Sequence, residues 1–143
     1  MNILVLHGPN LNLIGKYSTQ NITLDKINRA LRKQAHDLGH ELIIFHFLEE
    51  GKFVRQIQRR RKNIDGIIFN PGALSQNCFV IKELVQILGK PLIEVHIESI
   101  PKSKYNFNKS VLTSVAKARI FGETIQSYQK ALAKLDNIFN SPI

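Results

Sequence analysis

The chain has 143 residues, 43% of them hydrophobic, with 20 Lys and Arg against 11 Asp and Glu for a formal net charge of +9. That length and apolar share suit one globular domain over residues 1–143 and exclude wholesale disorder. No run approaches the roughly 20 apolar residues of a membrane span, the opening MNILVLHGPN lacks the basic region of a secretory leader, and the one cysteine, Cys78, excludes a disulfide framework, so a cytoplasmic protein is expected.

Apolar runs then alternate with helical spacing along the chain. Ile3-Leu4-Val5-Leu6 reads as a strand buried on both faces. Leu24, Ile27, Leu31, Ala35 and Leu38 follow helical spacing, with Thr23 as N-cap and Gly39 just past the end. His36 and His40 flank that end and are expected in solvent. A second strand is expected over 41–47 and a second long helix over 52–62. The latter holds Arg55, Arg59, Arg60 and Arg61, while Phe53 and Ile57 lie four apart, giving a buried stripe and a solvated basic face. The third strand is expected over 65–70, a helix over 78–88 stopped by Gly89, and a fourth strand over 91–96. A short fifth strand over 118–121 and a helix over 124–135 complete the pattern, leaving a tail from 137. Repeated strand–helix units predict an α/β fold: a five-stranded parallel sheet, flavodoxin-like, in the order 2-1-3-4-5 with helices on both faces.

Such sheets bind ligands beyond the carboxyl ends of their strands, where the strand order reverses. In this order the reversal lies between strands one and three, so the loops HGPNLN at 7–12 and NPGALSQ at 70–76 should flank the crevice. Both carry an Asn able to donate and accept hydrogen bonds, although Asn-Pro and Pro-Gly are also ordinary turn formers. Glu94 and His96 stand two apart on strand four and so project from one face. A carboxylate in an apolar strand needs a partner to be buried. Beside an imidazole it fixes the ring and favours its cation, which makes His96 a candidate general acid; a structural ion pair is the alternative. His7 and His46 end strands, where either could be structural. No metal-ligand spacing, phosphate-binding Gly-rich motif or nucleophile elbow occurs.

The same residues carry a family resemblance. Strand one with HGPNLNLIG, FNPGALS at strand three and PLIEVHIES at strand four resemble type II 3-dehydroquinate dehydratases, in matching order from Asn2 to about Leu135. The resemblance implies a flavodoxin-like fold and a homododecamer of trimers, with neither metal nor cofactor. It also implies loss of water from 3-dehydroquinate to give 3-dehydroshikimate in the shikimate pathway, by way of an enolate. By motif, a lid tyrosine removes the proton beside the ketone, Asn10 holds the water that stabilises the enolate, Glu94 orients the catalytic pair, and His96 protonates the departing hydroxyl. Asn70 binds substrate hydroxyls, and Gly72, Gln76, Ile97, Glu98, Lys104 and Asn108 stand at the other substrate-binding positions. A positive site would attract the anionic substrate.

Several positions depart from the family pattern. The lid from Gly15 to Leu24 is about three residues shorter, and its one tyrosine is Tyr17, beside Lys16 as the charge that would favour tyrosinate. Gln76 replaces a histidine, Glu98 a serine, and Leu48-Glu49-Glu50-Gly51 an Asn-His-Glu-Gly stretch, while Lys104 and Asn108 stand where arginines occur in the family. Two other functions are therefore weighed beside the dehydratase. One is a paralogue that keeps the fold, with lost or altered chemistry, and binds a related polyol acid. The other is a basic nucleic-acid-binding module using the 52–62 run.

Overall fold

The computed structural model describes residues 1–17, 21–97 and 109–141. Five parallel strands, β1 (Asn2–His7), β2 (Glu41–His46), β3 (Gly66–Asn70), β4 (Leu92–Ile97) and β5 (Ala118–Gly122), form one sheet in the order β2-β1-β3-β4-β5. The expected architecture is therefore the observed one. Helices α2 (Leu24–Leu38), α3 (Glu50–Arg60), α4 (Phe79–Leu88) and α5 (Thr124–Asn140) cover the two faces, and a four-residue helix α1 (Ile14–Tyr17) follows the β1 loop.

Side-chain alternation in the strands creates two cores. Ile3, Val5, Ile68, Ile93 and Val95 pack with Ile27, Leu31, Tyr128, Leu132 and Leu135 of α2 and α5. Leu4, Leu6, Ile67, Phe69 and Leu92 pack with Phe53, Ile57, Ile81 and Val85 of α3 and α4. The strand residues of both cores are almost wholly buried, the pattern of a parallel sheet covered on both faces. Phe53 and Ile57 face inward as their spacing requires, while Arg55, Arg59 and Arg61 are exposed. Arg60 is half-buried, with its guanidinium carbon 5.2 Å from the ring centre of Phe45 on β2.

The α2 boundaries follow from local chemistry. The Thr23 hydroxyl accepts from the Lys26 N–H at 3.2 Å, and Gly39 takes a left-handed conformation with φ 78°.

Two expectations need correction. The last helix runs to Asn140 rather than stopping near Leu135, because Ile138 and Phe139 continue its apolar stripe and pack on the α2–α5 core. His40 is not in solvent: its side chain is 7% exposed, with Nε2 2.7 Å from Asp136 Oδ1 and Nδ1 3.1 Å from the N-terminal amine. The longer helix causes this, since it carries Asp136 alongside the end of α2. Other boundaries shift by one or two residues, most visibly α3, which starts at Glu50 rather than 52.

Candidate active site

The loops after β1 and β3 meet at the strand-order reversal. The Gly8 N–H donates to the Asn70 carbonyl at 2.7 Å. A Cβ at Gly8 would fall 2.3 Å from the Pro71 carbonyl oxygen, so only glycine allows the loops to close this tightly. Asn10 then turns the chain with φ 71°, a left-handed conformation that asparagine tolerates better than most residues. Asn10 is exposed, at the start of the short turn Leu11–Leu13. Gly72–Gln76 forms a matching 3-10 turn after β3, with Gly72 at φ 56° and Gln76 exposed.

Glu94 and His96 project together from β4, as their spacing predicts, and both are buried. His96 Nε2 lies 3.0 Å from Glu94 Oε2, at ion-pair distance but off the line that a directed N–H···O bond prefers. The carboxylate has further partners that the sequence pattern does not reveal. Ser110 donates to Oε2 in a short hydrogen bond, and Thr113 donates to Oε1 at 2.6 Å. Arg119, paired with Glu94 across β4 and β5, brings Nε to 3.7 Å from Oε1. Ser110 and Thr113 reach the site because the returning chain docks on the β3 turn, where the Val111 N–H donates to the Ser75 carbonyl at 2.8 Å and Leu112 is fully buried. Burial pushes the Glu94 carboxyl up, but His96 and the Ser110 and Thr113 hydroxyls together outweigh it and hold the group below the usual carboxylate range. Glu94 thus stays ionised at neutral pH and fixes the imidazole at the carboxyl end of β4.

Asn70 faces the other side of the sheet. Its Oδ1 accepts from the Gly72 N–H at 3.1 Å and its Nδ2 donates to the Tyr128 hydroxyl at 3.1 Å. Tyr128, on α5, lies 2.9 Å from Nδ1 of His7, whose Nε2 lies 2.8 Å from Asn28 Oδ1 on α2. Both ring nitrogens of His7 are therefore engaged within the fold. Burial, opposed by the Asn28 hydrogen bond and aided by His46, lowers its pKa from 6.5 to about 4. Cys78, the one thiol, is buried and pushed up to about 12, first by burial and then by the charge of Glu50, so it is no nucleophile at neutral pH.

The carboxylate–imidazole pair thus forms one cluster, Asn70 forms a second across the sheet, and the Asn10 turn stands at the β1–β3 crevice. Ile97 is buried at the end of β4 and Lys16 is exposed in α1. Glu98, Lys104, Asn108 and lid residues 18–20 lie outside the described residues, as does the side chain of Tyr17.

A doubly wound parallel sheet with an ionised carboxylate and an imidazole buried together at the carboxyl edge of an inner strand defines an α/β protein of the flavodoxin-like class. The family model described as Dehydroquinase class II matches residues 1–136. The 3-dehydroquinate dehydratase of Pelotomaculum thermopropionicum is 38% identical over 136 residues, which cover 92% of this chain and 94% of that protein. That of Geotalea daltonii is 38% identical over 143 residues, covering 98% and 97%. The type II dehydroquinase crystal structure from Butyrivibrio crossotus superposes with a TM-score of 0.86 at 27% identity, covering 95% of this chain and 97% of that one. The chain belongs to the class II dehydroquinase family.

Proposed function

We propose that the protein is a 3-dehydroquinate dehydratase, a hydro-lyase of the shikimate pathway that converts 3-dehydroquinate to 3-dehydroshikimate through an enolate. One observation carries this reading within the family: the imidazole of His96 is held against a fully buried, ionised Glu94 at the carboxyl edge of the sheet.

In the mechanism, Tyr17 in the lid is the base, favoured as tyrosinate by the charge of Lys16. It takes the proton beside the ketone, and the electron pair moves onto the carbonyl oxygen. Asn10 holds the water that hydrogen-bonds the enolate, since an enolate needs preorganised donors. The enolate then expels the hydroxyl as His96 delivers a proton to it, because hydroxide leaves poorly without an acid. Glu94 keeps the imidazole in place. Asn70 binds the substrate hydroxyls, and Gly72, Gln76, Ile97, Glu98, Lys104 and Asn108 are the other substrate contacts. The chain acts as one domain over residues 1–143, in a cytoplasmic homododecamer built from trimers. Among the described residues no helix is long and apolar enough to cross a membrane.

The test is a spectrophotometric assay for the conjugated enone of the product, run on wild type and on Tyr17→Phe. Turnover in the wild type and its collapse in the variant are expected. Well-folded wild type without turnover would leave the paralogue reading, and an undiminished Tyr17→Phe would remove the tyrosine from the base role. The nucleic-acid reading has less behind it, because among the described residues the exposed basic side chains of α3 stand without an aromatic platform, and the half-buried Arg60 alone lies over a ring, that of Phe45.

A further inference from the structure

The hydrogen bonds around Asn70 have a fixed direction. A backbone N–H can only donate, so the Gly72 amide requires the oxygen of the Asn70 side chain to face it. That places Nδ2 against the Tyr128 oxygen, which accepts. The Tyr128 hydroxyl in turn has its proton to give, and Nδ1 of His7 lies 2.9 Å away. A His7 that accepts at Nδ1 carries its own proton at Nε2, and there Asn28 Oδ1 stands 2.8 Å off to receive it. Asn28 on α2, His7 on β1, Tyr128 on α5 and Asn70 on β3 therefore form one polar chain across the α2–α5 side of the sheet. His7 and Tyr128 are fully buried and Asn70 is 2% exposed.

We propose that Tyr128 and His7 are positioning residues for substrate binding: they lock the carboxamide of Asn70 in one orientation at the carboxyl edge of β3. The proposal rests on the dehydratase reading, in which Asn70 contacts substrate hydroxyls. A carboxamide has two N–H groups and two lone pairs on its oxygen. With one N–H committed to Tyr128 and one lone pair to Gly72, the group offers a ligand one donor and one acceptor at defined places. Losing the Tyr128 oxygen removes the only described partner of Nδ2, and the amide plane then turns about its last side-chain bond.

The experiment has two arms. In the first, steady-state kinetics with 3-dehydroquinate compare wild type, Tyr128→Phe, Asn70→Ala and the double variant. Tyr128→Phe keeps the ring and its packing, and its folding is checked by circular dichroism. A roughly tenfold rise in KM with kcat within about twofold is expected, because the contact acts in ground-state binding. In the Asn70→Ala background the same change should leave KM within about twofold, since the two act as a unit. Equal effects of Tyr128→Phe in both backgrounds, or a fall in kcat alone, would overturn the proposal. In the second arm, nitrogen-15 NMR of wild type reads the His7 imidazole directly. A neutral ring protonated at Nε2 is expected, and one protonated at Nδ1 overturns the chain whether or not Tyr128→Phe folds. Absence of wild-type turnover would instead defeat the dehydratase reading, while the NMR result still decides the direction of the chain.

Discussion

Replacing Glu94 with glutamine removes the buried charge and keeps the shape. In the native site the carboxylate accepts from the Ser110 and Thr113 hydroxyls and attracts His96 at 3.0 Å and Arg119 at 3.7 Å. Hydrogen bonds to a charged group contribute roughly 1.5–3 kcal/mol and neutral ones about 1 kcal/mol, so the two hydroxyl bonds lose about 2 kcal/mol together. The His96 attraction adds about 1 kcal/mol, and the amide nitrogen of glutamine presents a donor to one of the same donors. A total near 3 kcal/mol follows, at the lower end of the range for breaking a buried ion pair. The same substitution releases the imidazole, so kcat should fall by about 10² or more, the contribution of a positioned general acid. Urea unfolding measures the first effect and the enone assay the second. A Glu94→Gln protein within about 1 kcal/mol of wild type and with kcat within about threefold would refute the reasoning.

Two further outcomes follow from the geometry. Gly8→Ala puts a methyl 2.3 Å from a backbone carbonyl oxygen that cannot move without parting the β1 and β3 loops, so a loss of about 3 kcal/mol or more is expected in thermal or urea unfolding, and a loss below about 1 kcal/mol would show that the loops separate easily. His7 binds a proton near pH 6.5 when unfolded but only near pH 4 when folded, so the unfolded chain holds more protons between those values; its contribution is complete above pH 6.5, declines on acidification and is lost below about pH 4. That gap corresponds to about 3 kcal/mol, and Glu94, held below its ordinary range, adds a loss of the same sign at lower pH. Urea unfolding from pH 7 to pH 4 should show the decline in wild type and a flatter profile in His7→Gln, and parallel profiles would contradict it.

Most of the architecture could be read from local pattern because parallel strands covered on both faces are short apolar runs, and amphipathic helices declare their stripe and ends. Thr23 and Gly39 bracket α2 for reasons visible within one helical turn. The end of α5 was hidden because Asp136 and Asn137 interrupt its apolar spacing, and only tertiary contact shows Ile138 and Phe139 packing on the core. The Glu94–His96 pair was legible from the two-residue period of a strand. Its partners were not: Ser110 and Thr113 arrive through a loop whose docking on Ser75 no local signal announces, and Arg119 is adjacent only through strand register. Tyr128 was hidden for a related reason. On the sequence it is one more member of a helical apolar stripe, and its hydroxyl acquires a role only when α5 crosses the end of β3.

The most direct test of the account is the steady-state rate of enone formation from 3-dehydroquinate by wild type and by His96→Asn, with both shown folded by circular dichroism. A clear wild-type rate and a loss of kcat of about 10² or more in the variant are expected for an imidazole that protonates the leaving hydroxyl. Equal rates in the two proteins would contradict it.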